Sequence, residues 1–377
     1  MAGILGPRAA VDALGLPDGI DGGRVLAFQL RDGRTAQQLV AEVAAAVGTV
    51  NQQIADKFGS YIYFTDSPNA YYAAGVGGGR RETPIDVEFN DPPGIRATDG
   101  GHMLPLKDFS DALAWTPKYL RDAREAQITA DVNVVVESWR NRVTGDFYRR
   151  ALVNTERAIG SGYDVPFSIG TGVNVPYIPQ QYGTYSFDSS HTHFYANADA
   201  LTADYEEGLE FAATEMRHHG YSGRIDVLVS ETDQVKYAAS DNFVRYIPNG
   251  VTTVGGNTNS PIFVQPGELE NAPGEVFGFY LSNTGPVMVL RADPFIPTGY
   301  ALALKSFGAN NPMNPMAIRV HPETDFGLMI DPQGTKSLIN PVLEKILVMG
   351  THGVGVNNRL AGVALHWGNA SYTNPTL

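Results

Sequence analysis

Apolar residues recur every three or four positions from Leu39 through Val43, Val47, Val50, Ile54 and Phe58, and Gly59 closes the run. That period predicts an amphipathic helix of about six turns over residues 35–59, opened by a Thr35/Gln38 capping box. The period then shortens to two. Ile62 and Phe64 alternate with Tyr61 and Tyr63, and Ile85, Val87 and Phe89 alternate with Asp86, Glu88 and Asn90, the pattern of strands with one buried face. Between them lies Gly75-Val76-Gly77-Gly78-Gly79-Arg80-Arg81, a flexible tip, so residues 60–106 are expected to form a long hairpin. A two-stranded ribbon is marginal in water and needs a further surface to lie on.

Helical spacing returns at Thr116-Pro117, where proline at the first helical position opens a short helix. A long helix is expected over 125–159, burying Ile128, Val132, Val135, Trp139, Val143, Phe147 and Ala151 and ended by Gly160. Arg140, Arg142, Arg149, Arg150 and Arg157 crowd its later half, as a solvated face or as a contact with a neighbouring subunit or DNA. A third helix, over 202–219, turns Tyr205, Leu209, Ala212 and Met216 inward. Acids at Asp204, Glu206 and Glu207 and bases at Arg217, His218 and His219 complement its dipole, and Gly220 stops it. Ile225–Val229 is a buried strand, followed by a helix that Ser230 and Asp233 cap. Strands and turns fill 241–300, including Val287-Met288-Val289-Leu290. The chain closes on Ile346–Met349, a turn at Asn357-Asn358 and a strand in which Val363, Leu365 and Trp367 alternate with Ala364 and His366. Long helices with antiparallel ribbons, lacking a regular strand–helix alternation, mark the α+β class.

Residues 1–34 show no period and read as an arm rich in Gly, Ala, Pro and Asp. The length of 377 residues suits two or more domains. The 41 glycines and 24 prolines gather in the arm, the hairpin tip and the 241–300 turns. With no cysteine, disulfides, zinc–thiolate sites and thiol catalysis are excluded. A net charge of −13 argues against a nonspecific grip on nucleic acid, and residues 188–241, with 11 acids against 3 bases, supply most of it. No apolar run approaches the ~18 residues of a membrane span, and no signal-peptide pattern opens the chain, so a soluble intracellular product is expected.

Candidate chemistry is sparse. A phosphate loop would continue into Gly-Lys-Ser/Thr, whereas Arg80-Arg81-Glu82-Thr83-Pro84 follows the glycines here; Arg80 also stands where a dinucleotide fingerprint needs its third glycine. His191 and His193 would share one strand face and could ligate a metal, which leaves room for a metal-dependent hydrolase. No carboxylate follows at Ala196-Asn197-Ala198, and polar strand or turn residues are the plainer expectation. His218-His219 reads as helix-end capping, and His366 as an exposed or interfacial residue. There is no Gly-x-Ser-x-Gly elbow and no His-Glu-x-x-His, so no enzyme and no cofactor are expected.

Three stretches, taken in order, carry a resemblance: Ala114-Trp115-Thr116-Pro117-Lys118-Tyr119-Leu120-Arg121-Asp122; Gly274-Glu275-Val276-Phe277-Gly278 with Pro297-Thr298-Gly299-Tyr300-Ala301-Leu302; and Gly353-Val354-Gly355-Val356-Asn357-Asn358-Arg359-Leu360-Ala361-Gly362-Val363. With the arm, the hairpin and the two consecutive helices, this order resembles the major capsid proteins of tailed bacteriophages, the Hong Kong 97 fold. The resemblance implies an N-terminal arm over 1–34, a helix over 35–59 and an extended loop over 60–106. It further implies a peripheral domain with a long spine helix, over 107–159 and 331–377, and an axial domain over 160–330. Its functional implication is self-assembly as pentamers and hexamers into an icosahedral virion capsid around packaged double-stranded DNA, built in the host cytoplasm. The implied partners are a portal and separate scaffolding and decoration proteins, with no membrane. Some members lock their shells with isopeptide bonds from a lysine on the extended loop. The chain has seven lysines and none in 58–106, so a non-covalent shell is expected. Gly77, Gly78, Gly79, Arg80 and Arg81 at the loop tip, with Arg149 and Arg150 on the spine helix, are the candidate assembly contacts. An encapsulin-like compartment shell shares the fold and is the alternative.

Overall fold

In a computed structural model of the chain, residues 36–74, 98–199, 205–246, 272–283, 285–323, 326–331 and 344–377 are described. In chain order the elements are α1 (Ala36–Phe58), β1 (Ile62–Thr65), β2 (Asn69–Ala74), β3 (Thr98–Met103), β4 (Lys107–Trp115), α2 (Pro117–Asp122) and α3 (Glu125–Leu152). There follow β5 (Arg157–Ile159), β6 (Gly162–Asp164), β7 (Phe194–Asn197), α4 (Tyr205–His218), β8 (Ile225–Ser230), α5 (Gln234–Tyr237), β9 (Phe243–Arg245) and β10 (Glu275–Leu281). The last are β11 (Val287–Asp293), β12 (Tyr300–Leu304), β13 (Met316–Arg319), β14 (Leu328–Asp331), β15 (Glu344–Val356) and β16 (Gly362–Trp367). The chain forms two compact units.

The first unit takes its described residues from 36–57, 106–146 and 319–353. β15 pairs antiparallel with β4 along Glu344–His352 and with β14 along Leu347–Gly350. Helix α1 buries Val43, Val47, Val50 and Ile54, the stripe its spacing predicts. Asn51 on α1 acts as a surrogate strand for β14: its Oδ1 accepts from Leu328 N and its Nδ2 donates to Leu328 O, both at 3.0 Å. Pro117 opens α2 as expected, with Thr116 Oγ1 capping Tyr119 N at 3.1 Å. On α3, Trp139 meets the rings of Phe109 and His352 edge-on at 6.3 and 4.8 Å. Gly350 makes that approach possible, since a Cβ there would stand 2.6 Å from the Trp139 ring.

The second unit takes its described residues from 58–105, 147–318 and 354–377. Its centre is a mixed sheet in the order β7-β16-β12-β8-β11-β10-β9. Alternate residues of neighbouring strands share one face: Ile225, Val227 and Val229 on β8, Met288 and Leu290 on β11, Ala301 and Ala303 on β12, Val363, Leu365 and Trp367 on β16. Helix α4 lays Tyr205, Leu209, Ala212, Ala213 and Met216 on that face. Its end follows the sequence pattern: Gly220 has φ +80°, and Tyr221 N and Gly220 N donate to Met216 O and Arg217 O at 2.9 Å, a Schellman closure. Gly208 lets helix and sheet touch, because a Cβ there would lie 2.7 Å from the Trp367 indole and 3.2 Å from Tyr195. On an exposed helix Gly→Ala adds stability; here Gly208→Ala is expected to cost about 1–3 kcal/mol through overpacking, read as a lowered urea midpoint.

Several expectations change. Ile62–Phe64 does form a strand, but β1 pairs with β13 outside the hairpin. The hairpin's paired strands are β2 and β3, from Asn69↔Met103 to Ala74↔Thr98. The tip and the Ile85–Phe89 run lie outside the described residues, as do the arm and Thr35. The long helix ends at Leu152 rather than Ile159. Arg150 Nη2 donates to the carbonyls of Val153 and Thr155 at 2.7 and 3.1 Å, turning the chain out of the helix. Gly160, with φ +55°, instead joins β5 to β6. At the C-terminal end, β16 does not stand with 107–159 but enters the seven-stranded sheet beside β12 and β7. His366 is 8% exposed, not a surface residue, because its ring stacks on Tyr300 at 4.2 Å.

Candidate functional site

The hairpin root is the described part of the expected assembly apparatus. β2 and β3 carry Tyr71, 74% exposed, and Tyr71 packs beside Gly101, where a Cβ would come within 3.3 Å of its ring. The root is tied down by His102, whose Nε2–H donates to Val356 O at 2.6 Å. Burial lowers the pKa of His102 to about 4, against the opposing pull of that hydrogen bond, so the imidazole is neutral at pH 7. Gly77, Gly78, Gly79, Arg80 and Arg81 lie outside the described residues.

The two spine-helix arginines separate. Arg149 is exposed, and its Nη2 donates to Leu377 O at 3.1 Å. Arg150 is 1% exposed and is withdrawn from any outer surface. Its Nη1 lies 3.4 Å from Asp164 Oδ2, the same oxygen that Arg157 Nε approaches at 2.8 Å and Arg157 Nη2 closes on. Within the chain the Arg150 side chain sits buried at the helix end, where the carbonyls of Val153 and Thr155 and the Asp164 carboxylate use its donors. Arg140 bonds Gln53 Oε1 at 2.9 Å and Glu137 at 2.5 Å, and Arg142 lies over the Phe109 ring at 4.9 Å.

His191 and His193 do come together, in company that local spacing did not suggest. The turn 187–193 leads into β7 and sets them beside the end of α4, which supplies Glu215 and His219. Of the adjacent pair at that helix end, His218 stacks on Tyr185 at 4.0 Å and only His219 enters the cluster. His193 is wholly buried, and its Nδ1–H donates to Gly362 O at 2.8 Å. Desolvation by burial lowers His191 to about 4, with the charge of His218 adding to it, and lowers His219 to about 3. His193 is lowered well below its ordinary value for the same reason, while burial raises Glu215 to about 7. The missed signal was Glu215 and His219, four apart on one helix face. No described helix is long and apolar enough to cross a membrane.

Neither a protein-family model nor any curated protein sequence matches the chain. Among solved structures, a chain from Mycobacterium phage Patience matches at 20% identity with a TM-score of 0.63, covering 95% of this chain and 96% of that one. Fainter likenesses include the capsid of Cyanophage P-SCSP1u (11% identity, TM-score 0.45, 84% and 88% covered) and the mature capsid of bacteriophage PhiM1 (11%, 0.45, 83% and 87%). The first match, spanning nearly all of both chains, shows the fold. The described elements have the α+β architecture expected from the sequence, and the chain shares its fold with that phage chain.

Proposed function

We propose that this chain is the major capsid protein of a tailed double-stranded DNA bacteriophage, assembling as pentamers and hexamers into an icosahedral virion shell. The observation that carries this reading is a fold shared along nearly its whole length with a chain from Mycobacterium phage Patience, in a sequence whose order of elements resembles the Hong Kong 97 capsid proteins. Physical features support it. The paired strands β2 and β3 form a two-stranded ribbon, and a ribbon of that kind gains stability by lying on a neighbour. An acidic chain suits a wall that encloses DNA without gripping it. In this reading 107–159 belongs to a peripheral domain, 160–330 to an axial domain and 60–106 to an intersubunit loop. Arg80, Arg81 and Arg149 meet acids of neighbouring copies. The absence of lysine from 58–106 makes the shell non-covalent, because a guanidinium cannot serve as the amine nucleophile of an isopeptide bond. A portal and separate scaffolding and decoration proteins complete the particle, built in the host cytoplasm.

The test is size. Recombinant protein, co-expressed with its neighbouring phage genes if it stays monomeric alone, is expected to give rings or shells by negative-stain microscopy that run as a single monomer band on a denaturing gel. Charge reversal at Arg80 and Arg81 together is expected to abolish those particles. A monomer with metal-dependent turnover would overturn the reading, cross-linked ladders would overturn its non-covalent part, and shells filled with protein would point to a compartment.

A further inference from the structure

The histidine cluster has a geometry that hydrogen bonding alone does not satisfy. His193 Nε2 lies 3.1 Å from His191 Nε2 and 2.9 Å from His219 Nε2. The carbonyl of Gly362 can only accept, so Nδ1 of His193 holds the proton and Nε2 presents a bare lone pair. One lone pair accepts one N–H in line, yet two imidazole nitrogens crowd it. Glu215 Oε2 stands 3.9 Å from His219 Nε2 and 3.6 Å from His191 Nδ1, beyond hydrogen-bond reach of either. That oxygen is buried and makes no hydrogen bond. A buried acceptor turned toward a group of imidazoles without touching them is costly unless something between them is shared.

We propose that His191, His193, His219 and Glu215 bind a structural divalent cation, with zinc the best fit to their chemistry. One donor atom from each of the four falls within 4.8 Å of all the others. In a tetrahedral zinc site with ligand bonds of about 2.0–2.1 Å, neighbouring donors stand roughly 3.3–3.4 Å apart. Three of the six separations, 2.9, 3.1 and 3.9 Å, bracket that value and none exceeds 4.8 Å, so side-chain rotations that draw the wider pairs inward close the shell. Three imidazoles and a carboxylate are a borderline-soft set that suits zinc better than calcium or magnesium, which prefer oxygen. The Gly362 carbonyl that fixes the His193 tautomer is the outer partner ligating histidines ordinarily have. Phe187 roofs the cluster, stacked on His219 at 4.6 Å and edge-on to His191 at 4.8 Å.

Four protein donors under an aromatic roof fill the coordination sphere and leave no position for a substrate, so this is a clamp and not the hydrolase centre that His191 and His193 alone could suggest. The cation would pin three pieces of the second unit at one point: the turn before β7, the C-terminal end of α4 and, through His193, the start of β16. In a chain without cysteine it supplies a cross-link that neither a disulfide nor a thiolate site can.

The full-length protein, stripped with a chelator and dialysed free of metal, is titrated with Co²⁺ and then with Zn²⁺. Expected are the visible absorption bands of four-coordinate cobalt, saturating at one ion per chain and quenched by zinc, and a thermal midpoint that rises with zinc. The double variant His191→Ala/Glu215→Gln is expected to lose about a hundredfold or more in affinity. His218→Ala, whose ring lies against Tyr185 outside the cluster, is expected to bind as the parent does. Wild-type protein that takes up no cobalt, or a double variant that binds as tightly as wild type, overturns the site. Because the wild-type titration decides by itself, a variant that fails to fold does not rescue the proposal. Shell assembly is a separate measurement, so failure here leaves the capsid reading where it stands.

Discussion

Asp164→Ala is expected to destabilise the second unit by about 3–5 kcal/mol, the range for removing one partner of a buried ion pair. The carboxylate is fully buried on β6 and serves two guanidiniums through one oxygen, those of Arg150 and Arg157. Arg157 is 39% exposed and can turn to water when its partner goes. Arg150 cannot, because it is buried and its Nη2 is already held by the carbonyls of Val153 and Thr155. The expense falls on that stranded charge, and with it on the turn that ends α3. Arg149→Ala is the control one residue away: its guanidinium is exposed and donates to the Leu377 carbonyl at the surface, and removing it is expected to change stability by no more than about 0.5 kcal/mol. Urea unfolding of the unassembled subunit measures both. Equal, small losses would mean that Arg150 finds water after all.

The same two residues show where sequence pattern carries and where it stops. Helical period identified α1, α3 and α4 and most of their buried positions, because each helix must bury one stripe whatever it packs on. The pattern could not distinguish Arg149 from Arg150, since both sit in the last turn and burial there depends on β6, which returns from fourteen residues along. It overran the helix for a related reason: Arg157-Ala158-Ile159 continues a helical count, but Gly160 and Gly162 allow a tight hairpin, and Arg150 takes carbonyls that further helix would have used. β16 alternates cleanly and was legible as a strand, yet the sheet it joins depends on pairings with β7 and β12, far away in sequence. His366 shows the limit of alternation itself. Its neighbours Leu365 and Trp367 face α4, but the opposite face carries Tyr300 and Tyr372, so both sides of the strand are covered. The histidine cluster is half visible in the sequence: His191-x-His193 stands out, while His219 reads as part of the helix-end dipole pattern and Glu215 as one more acid on a helix surface. Only the turn that brings 187–193 against that end makes the four one group.

Acid is expected to weaken the hairpin root, and the amount can be assigned to one residue. An unfolded histidine titrates near 6.5, whereas burial lowers His102 to about 4. Between those values the unfolded chain binds a proton that the fold refuses. Stability is therefore complete above pH 6.5 and falls away as the pH drops through 4, by roughly 3 kcal/mol for this one side chain. The loss has a place in the structure. His102 lies opposite Ala70 in the β2–β3 ladder and donates to Val356, so protonating it strains the anchorage of the ribbon to the end of β15. Other buried histidines also resist protonation, and a difference measurement isolates this one. His102→Asn retains a donor for the Val356 carbonyl and has nothing to titrate. Urea midpoints of wild type and variant, compared at pH 7 and pH 4.5, are expected to converge as the pH falls, with wild type losing about 2–3 kcal/mol more than the variant. Parallel losses in the two proteins would show that the imidazole is hydrated at the root, and hydrogen exchange of the β2–β3 amides at the lower pH would then show no early opening there.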